Sequence, residues 1–356
     1  MKIAFVMETM TIKGGLERVM AGRMNALAAA GHEILLIEVY DYGSGKDAYE
    51  VSDSVRRIRL QVRKRCLAAK IWQFRNAVSA VRKTIESEKP DIMTSPVLLG
   101  VILYGLSSYG ARIVYESHVP RHIMPFKWLV KRMERRVDAV VTLTTGDASE
   151  YKTARRTAVI PNYTDIMPDA WSRRTERRSG FHAAALGRLC YQKDFLFLLQ
   201  AWKEVVRELP QATLGIYGDG PDKKKIERRI TALGLEKSVT LRPATDDTDS
   251  VYRSADIVVM SSRYEGFYMV GLEALSHGVC MVAVDVPYGP REMLEGGSGV
   301  LVERSVGELA RGIVTALSDT ERRETIARKG LETSRRYSKE QVIRQWETLF
   351  EELAQG

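Results

Sequence analysis

Two carboxylates eight positions apart, Glu265 and Glu273, are the residues of this chain best spaced for chemistry. They lie in Ser262-Arg-Tyr-Glu-Gly-Phe-Tyr-Met-Val-Gly-Leu-Glu-Ala-Leu. The preceding run, Ala255-Asp-Ile-Val-Val-Met-Ser-Ser, reads as a buried strand. After Gly266 apolar residues recur at helical spacing through Leu275, and Gly278 marks the stop. Glu265 is therefore expected in the loop before a helix and Glu273 inside it, about two turns or ~12 Å along. One acid can hold one part of an extended ligand while the other grips a different part. A sugar nucleotide has about that length, and the helix N-terminus between the acids suits its diphosphate.

Further places have residue types to be weighed. Gly14-Gly15 stands where a first strand gives way to a helix, so backbone N–H groups can approach a phosphate there. The G-x-G-x-x-G spacing is missing, and no ribose-binding acid stands at the usual distance, which disfavours a nicotinamide cofactor. Gly187-Arg-Leu-Cys-Tyr-Gln-Lys193 places Arg188 and Lys193 on one loop after a strand, where two cations can neutralise a diphosphate. Tyr217-Gly-Asp-Gly-Pro221 is another strand-turn-helix junction. His118, in Tyr115-Glu-Ser-His, follows a strand. Asp246-Asp-Thr-Asp249 resembles a metal-binding acid cluster, but no completing ligands stand nearby, so it reads as a polar loop and no metal is expected.

The elements that position these residues alternate between strand and helix patterns. Ile3-Ala-Phe-Val, Ile34-Leu-Leu-Ile-Glu-Val, Pro90-Asp-Ile-Met-Thr, Ala111-Arg-Ile-Val-Tyr and Ala139-Val-Val-Thr-Leu read as strands, with a basic helix from about Lys64 to Glu88. A second series has strands at Ala183-Ala-Ala-Leu, Ala212-Thr-Leu-Gly-Ile-Tyr, Val239-Thr-Leu, Asp256-Ile-Val-Val-Met, Val282-Ala-Val and Gly299-Val-Leu-Val. Its helices are expected near 194–208, 221–233, 267–277, 305–317 and 320–335, with a last one from Ser338 to about Leu353. The fold class is α/β: two Rossmann-like, doubly wound domains facing across a cleft. The divisions are 1–165 (acceptor side), a polar linker 166–180, 181–337 (donor side), and a C-terminal helix 338–356 packing back toward the first domain.

At 356 residues two domains are the natural expectation. The N-terminus does not resemble a signal peptide, and no run of eighteen apolar residues appears. Cys66, Cys190 and Cys280 have neither metal spacing nor a disulfide framework, and a cytoplasmic chain, with room for peripheral association at the inner face of the cell membrane, is expected. A formal net charge of +9 suggests an anionic partner. No acid occurs from Ser54 to Ile85, where Arg56, Arg57, Arg59, Arg63, Lys64, Arg65, Lys70, Arg75, Arg82 and Lys83 fall. A second basic run, Arg121 to Arg136, includes Phe126, Lys127, Trp128, Lys131 and Arg132.

Taken together, these residues resemble the pattern of glycosyltransferase family 4, retaining enzymes of the GT-B fold. The resemblance rests on Gly14-Gly-Leu-Glu-Arg-Val, Glu116-Ser-His118, Gly187-Arg188 with Lys193, Gly218-Asp-Gly, and Glu265 through Glu273-Ala-Leu-Ser-His-Gly. The run Val284-Asp-Val-Pro-Tyr-Gly-Pro-Arg-Glu-Met is similar to the subset that builds cell-surface polysaccharides and teichoic-acid-type polymers. Tyr268 differs from the family, which commonly has glycine there, and puts a ring where the donor's sugar and phosphate pass. Cys190-Tyr-Gln and Arg242-Pro-Ala differ as well.

The resemblance implies a donor site of Gly14, Gly15, Arg188, Lys193, Glu265, Gly266, Phe267, Tyr268 and Glu273. Glu265 would hold donor-sugar hydroxyls, Glu273 the ribose, and His118 the sugar or the charge developing beside it. It implies retention without a protein general base, no cofactor and no metal, a nucleotide-sugar donor (UDP-linked), and a glycan or lipid-linked saccharide acceptor. Nucleic acid is not expected. An anionic membrane surface fits the basic helix, where Ile71, Trp72, Phe74 and Val78 interleave with cations; a helix simply packed on the sheet fits the same pattern. The competing readings are a sugar-nucleotide epimerase or phosphorylase of the same fold, and a non-catalytic, basic partner subunit.

Overall fold

The computed structural model describes residues 1–12, 14–41, 45–63, 70–96, 110–124, 127–166 and 181–355. Its contacts divide the chain into two units, Met1–Asn162 with Glu340–Gly356, and Tyr163–Lys339. Most of the expected linker, and Phe126, lie outside the described residues. So do residues 64–69 and the side chains of Lys70, Ile71, Trp72 and Phe74.

The first unit is a seven-stranded sheet in the order β3-β2-β1-β4-β5-β6-β7. The strands are β1 Lys2–Met7, β2 Glu33–Asp41, β3 Arg56–Arg63, β4 Ile92–Ser95, β5 Arg112–Ser117, β6 Ala139–Thr142 and β7 Thr157–Val159. Every pairing is parallel. The central strands are continuous apolar runs because helices cover both faces of a doubly wound sheet. Ala77, Val81 and Ile85 bring the Lys70–Glu88 helix into this core. The Lys339–Gln355 helix belongs to the same unit and buries Val342, Trp346, Leu349 and Phe350.

Part of the basic stretch takes a form the helix reading did not anticipate. Arg56–Arg63 is an edge strand. Ile58, Leu60 and Val62 alternate with polar positions, and charged residues on an outer strand discourage edge-to-edge pairing. Arg56, Arg57 and Arg59 are held by Glu88, Asp47 and Glu38 at 2.6, 2.5 and 3.1 Å. Trp128, in the Lys127–Glu134 helix, is exposed. Among the described residues no helix is long and apolar enough to cross a membrane.

The second unit repeats the winding with six parallel strands in the order β10-β9-β8-β11-β12-β13. They are β8 His182–Leu186, β9 Thr213–Tyr217, β10 Val239–Arg242, β11 Ile257–Met260, β12 Cys280–Val284 and β13 Val300–Val302. The first strand of each series lies beside the fourth, β1 against β4 and β8 against β11, and the winding reverses there. Loops leaving the carboxyl ends of strands at such a switch point form a crevice. In the second unit those loops begin at Gly187 and Ser261. Both sheets match the expected fold class.

Candidate functional site

The loops after β8 and β11 are tied together residue by residue. Ser261 Oγ donates to the Lys193 carbonyl at 2.8 Å, and the Arg263 amide donates to the Gln192 carbonyl at 2.8 Å. Asp194, buried and in the left-handed region at φ 47°, accepts from Arg263 at 2.7 Å and from Arg304. Arg304 also donates to the Ser261 and Ser262 carbonyls at 3.1 Å each. A buried carboxylate with two arginine partners fixes both loops without leaving a charge unpaired.

This frame brings Lys193 to Glu265. Lys193 Nζ lies 2.6 Å from Glu265 Oε1, and Ser262 Oγ donates to the same oxygen at 2.6 Å. Gln192 Nε2 donates to Glu265 Oε2 at 3.3 Å. Glu265 is buried, and its backbone forms a parallel bridge with Tyr288. Beneath it Gly289 is so close that a Cβ there would lie 3.3 Å from the Gly266 carbonyl oxygen. Arg188, on the same loop as Lys193, is exposed and makes no hydrogen bond or ion pair among the described residues. The Gly218-Asp-Gly turn packs under Arg188: a Cβ on Gly218 would overlap the Gly187 carbonyl oxygen, and one on Gly220 that of Leu189.

The helix expected near 267–277 runs Met269–Ser276, with Glu265 in the loop before it and Glu273 one turn inside it. Tyr268 is its N-cap and makes no side-chain cap hydrogen bond. Glu273 is buried and accepts from Tyr252 Oη at 2.7 Å. Phe267 is half-buried, edge-on to Tyr337 at 5.6 Å.

Tyr268 does not stand open in a ligand path. Its ring is buried in the second unit's core, and a Cβ on Gly271 would overlap it, so glycine three residues along makes the space. Lys193 Nζ lies 4.9 Å from the ring centroid, a cation–π contact that couples Tyr268 to the site. Burial pushes the phenol well above its usual pKa, and Glu265 and Glu273 push it further, so Tyr268 stays protonated and is no base.

Gly14, Gly15 and His118 belong to the first unit. Gly14 caps the Gly15–Ala29 helix with no side-chain cap bond, and Gly15 is exposed with open space where a Cβ would point. His118 Nε2 lies 3.0 Å from Glu116 Oε2. Glu116, quoted in the Glu116-Ser-His118 motif without a role of its own, is the centre of a buried cluster: Arg23 Nη2 donates to it at 2.8 Å and Thr94 Oγ1 at 2.6 Å. Arg23 stacks over Trp346 at 3.9 Å, which ties the cluster to the C-terminal helix. Burial alone would raise the Glu116 carboxyl, but Arg23 and His118 overcome it and hold the group at about 2.

A depressed carboxylate stabilises the fold above its unfolded value, and that contribution is lost as pH falls from about 4.5 through 2. Urea unfolding should therefore show wild-type stability falling over that window. Glu116→Gln, which leaves Arg23 buried without a counter-charge, should lose about 3–5 kcal/mol at neutral pH and much of that acid dependence. Equal stability of the two proteins at pH 7 would contradict the pairing.

The acid cluster Asp246-Asp-Thr-Asp249 separates into local roles. Asp247 caps the Thr248–Ser254 helix by accepting from the Ser250 amide at 3.1 Å. Asp249 pairs with His277 at 2.7 Å and Arg253 at 2.5 Å. Among the described residues no group of three or more His, Cys, Asp or Glu is placed to hold a metal ion.

Sequence and fold comparisons converge on one group of proteins. Residues 13–167 match the family described as Glycosyltransferase Family 4, and residues 180–319 match Glycosyl transferases group 1. The chain is 26% identical over 248 residues to the poly(glycerol-phosphate) alpha-glucosyltransferase of Bacillus subtilis, covering 67% of this chain and 37% of that protein. It is 25% identical over 367 residues to the amylovoran biosynthesis glycosyltransferase AmsD of Erwinia amylovora, covering 97% of this chain and 98% of that one. The fold superposes with a TM-score of 0.80 on S. aureus TarM, solved with UDP and alpha-GlcNAc-glycerol, at 15% identity and 98% and 99% coverage.

Proposed function

Because the chain belongs to glycosyltransferase family 4, we propose that it moves a sugar from a UDP-linked donor to a glycan or lipid-linked saccharide of the cell surface, with retention and without a metal. The Lys193–Glu265 pair carries this reading. It places a cation and an anion 2.6 Å apart at the switch point of a doubly wound sheet, with Arg188 exposed on the same loop. A diphosphate joined to a sugar presents the matching sequence of groups: anionic oxygens, then neutral hydroxyls.

In this reading Arg188 and Lys193 hold the diphosphate and stabilise the charge that develops as the sugar–phosphate bond breaks. The Met269–Ser276 helix, whose N-cap supplies no side-chain bond, adds backbone N–H groups and its positive end. Glu265 accepts hydrogen bonds from sugar hydroxyls, and Glu273 from the ribose. Front-side attack lets the departing phosphate take the acceptor's proton, so positioning and charge stabilisation supply the catalysis. In the first unit, the Gly14-Gly15 helix start suits phosphate oxygens, and His118 suits a sugar hydroxyl or the developing charge.

A cell-surface acceptor is supported by the two glycosyltransferases named above, one for poly(glycerol-phosphate) and one for amylovoran. The test is a panel of nucleotide-sugars in chelator, scored for nucleotide diphosphate release and for the anomeric coupling of the product. Release of UDP and an α-linked product from an α-linked donor is expected. An inverted product, or turnover that requires a divalent cation, would overturn the corresponding part.

A further inference from the structure

Behind Glu273 lies a chain of side chains that the proposed transfer does not itself use. Tyr252 donates to Glu273 Oε2 at 2.7 Å, and its ring is stacked on His277 with centroids 4.8 Å apart and planes at 29°. His277 Nδ1 lies 2.8 Å from the Glu273 backbone carbonyl, and Nε2 lies 2.7 Å from Asp249 Oδ1. Tyr252, His277 and Glu273 are buried, whereas Asp249 is half-exposed and also meets Arg253. A carbonyl and a carboxylate both only accept, so each ring nitrogen of His277 faces a fixed acceptor. His277 also closes the Met269–Ser276 helix, where the carbonyl end favours positive charge. Burial would raise the Asp249 carboxyl, but the bond from His277 and the charge of Arg253 bring it below the usual carboxylate value.

We propose that Asp249, His277 and Tyr252 are positioning residues that aim the Glu273 carboxylate at a vicinal diol, the ribose of the donor nucleotide. This rests on the reading of Glu273 as the ribose grip. His277 is anchored at both nitrogens, so it cannot rotate without losing a bond to Asp249 or to the helix end. Tyr252, flat against it, keeps its hydroxyl 2.7 Å from Glu273 Oε2, with the Val270 carbonyl the more distant acceptor at 3.4 Å. A carboxylate with one fixed oxygen presents the diol with a defined geometry, and a preorganised acceptor loses less on binding.

The test compares calorimetric affinities for UDP and 2′,3′-dideoxy-UDP. The intact protein should prefer UDP by roughly 10–100-fold, the range for one charge-assisted hydrogen bond. Glu273→Gln should remove most of that preference. Tyr252→Phe, which deletes one oxygen, and Asp249→Ala, at a half-exposed site, should each reduce it to about a third or less while affinity for the dideoxy compound stays the same. Full preference in both variants, together with its loss in Glu273→Gln, would overturn the positioning chain and leave the ribose grip standing. Preference retained in Glu273→Gln, or no preference in the intact protein, would overturn the ribose grip and the chain with it.

Discussion

Glu265→Ala is expected to lower kcat/KM for the nucleotide-sugar by roughly two to four orders of magnitude. The carboxylate is buried, and three side chains already orient it: Lys193, Ser262 and Gln192. A hydrogen bond to a charged acceptor contributes about 1.5–3 kcal/mol, and two sugar hydroxyls would double that. At about 1.4 kcal/mol per decade the sum gives the stated range. The loss should fall on turnover more than on UDP affinity, because UDP carries no donor sugar. Glu265→Gln should recover little, since it keeps the shape but discards the charge that Lys193 faces. Initial rates at sub-saturating donor provide the measurement. Wild-type kcat/KM in folded Glu265→Ala would remove the sugar-binding role.

Lys193→Ala should cost both stability and activity. Lys193 is mostly buried against Glu265 at 2.6 Å, and removing one partner of a buried pair costs about 3–5 kcal/mol because the other charge is left uncompensated. Tyr268 would also lose the cation over its ring. The same ammonium is assigned to the diphosphate, so UDP affinity should fall as well. Arg188→Ala separates the effects. Arg188 is exposed without an ion partner among the described residues, so its removal should weaken UDP binding and leave the unfolding midpoint where it was. A Lys193→Ala protein that unfolds like the wild type and binds UDP equally well would contradict the pairing and the assignment together.

The strands and loops of this site were legible because each is encoded locally. Ile257–Met260 is a short apolar run before a polar turn, and Gly187 follows Ala183-Ala-Ala-Leu directly. What stayed hidden was contact between distant segments. Gln192 and Lys193 meet Glu265 across 72 or more residues, and Tyr252 meets Glu273 across 21. No periodicity specifies such pairs. Glu116 was legible in the Glu116-Ser-His118 motif, but its pairing with Arg23 and Thr94, 93 and 22 positions away, was not. The strand Arg56–Arg63 was obscured by its arginines, which mask an apolar alternation that needs a single covered face. The burial of the Tyr268 ring was not legible, because it depends on Gly271. That glycine is the position without a side chain that receives the ring.

Arg188, Lys193 and Glu273 are the proposed nucleoside-diphosphate contacts in the second unit's crevice. Calorimetric titration of UDP in chelator, on the intact protein and on Arg188→Ala with Glu273→Gln, tests this assignment most directly. Saturable one-to-one binding is predicted for the intact protein, with a loss of about 2–5 kcal/mol in the double variant, roughly 30-fold or more in affinity. No UDP binding by the intact protein, or equal binding by the two, would contradict it.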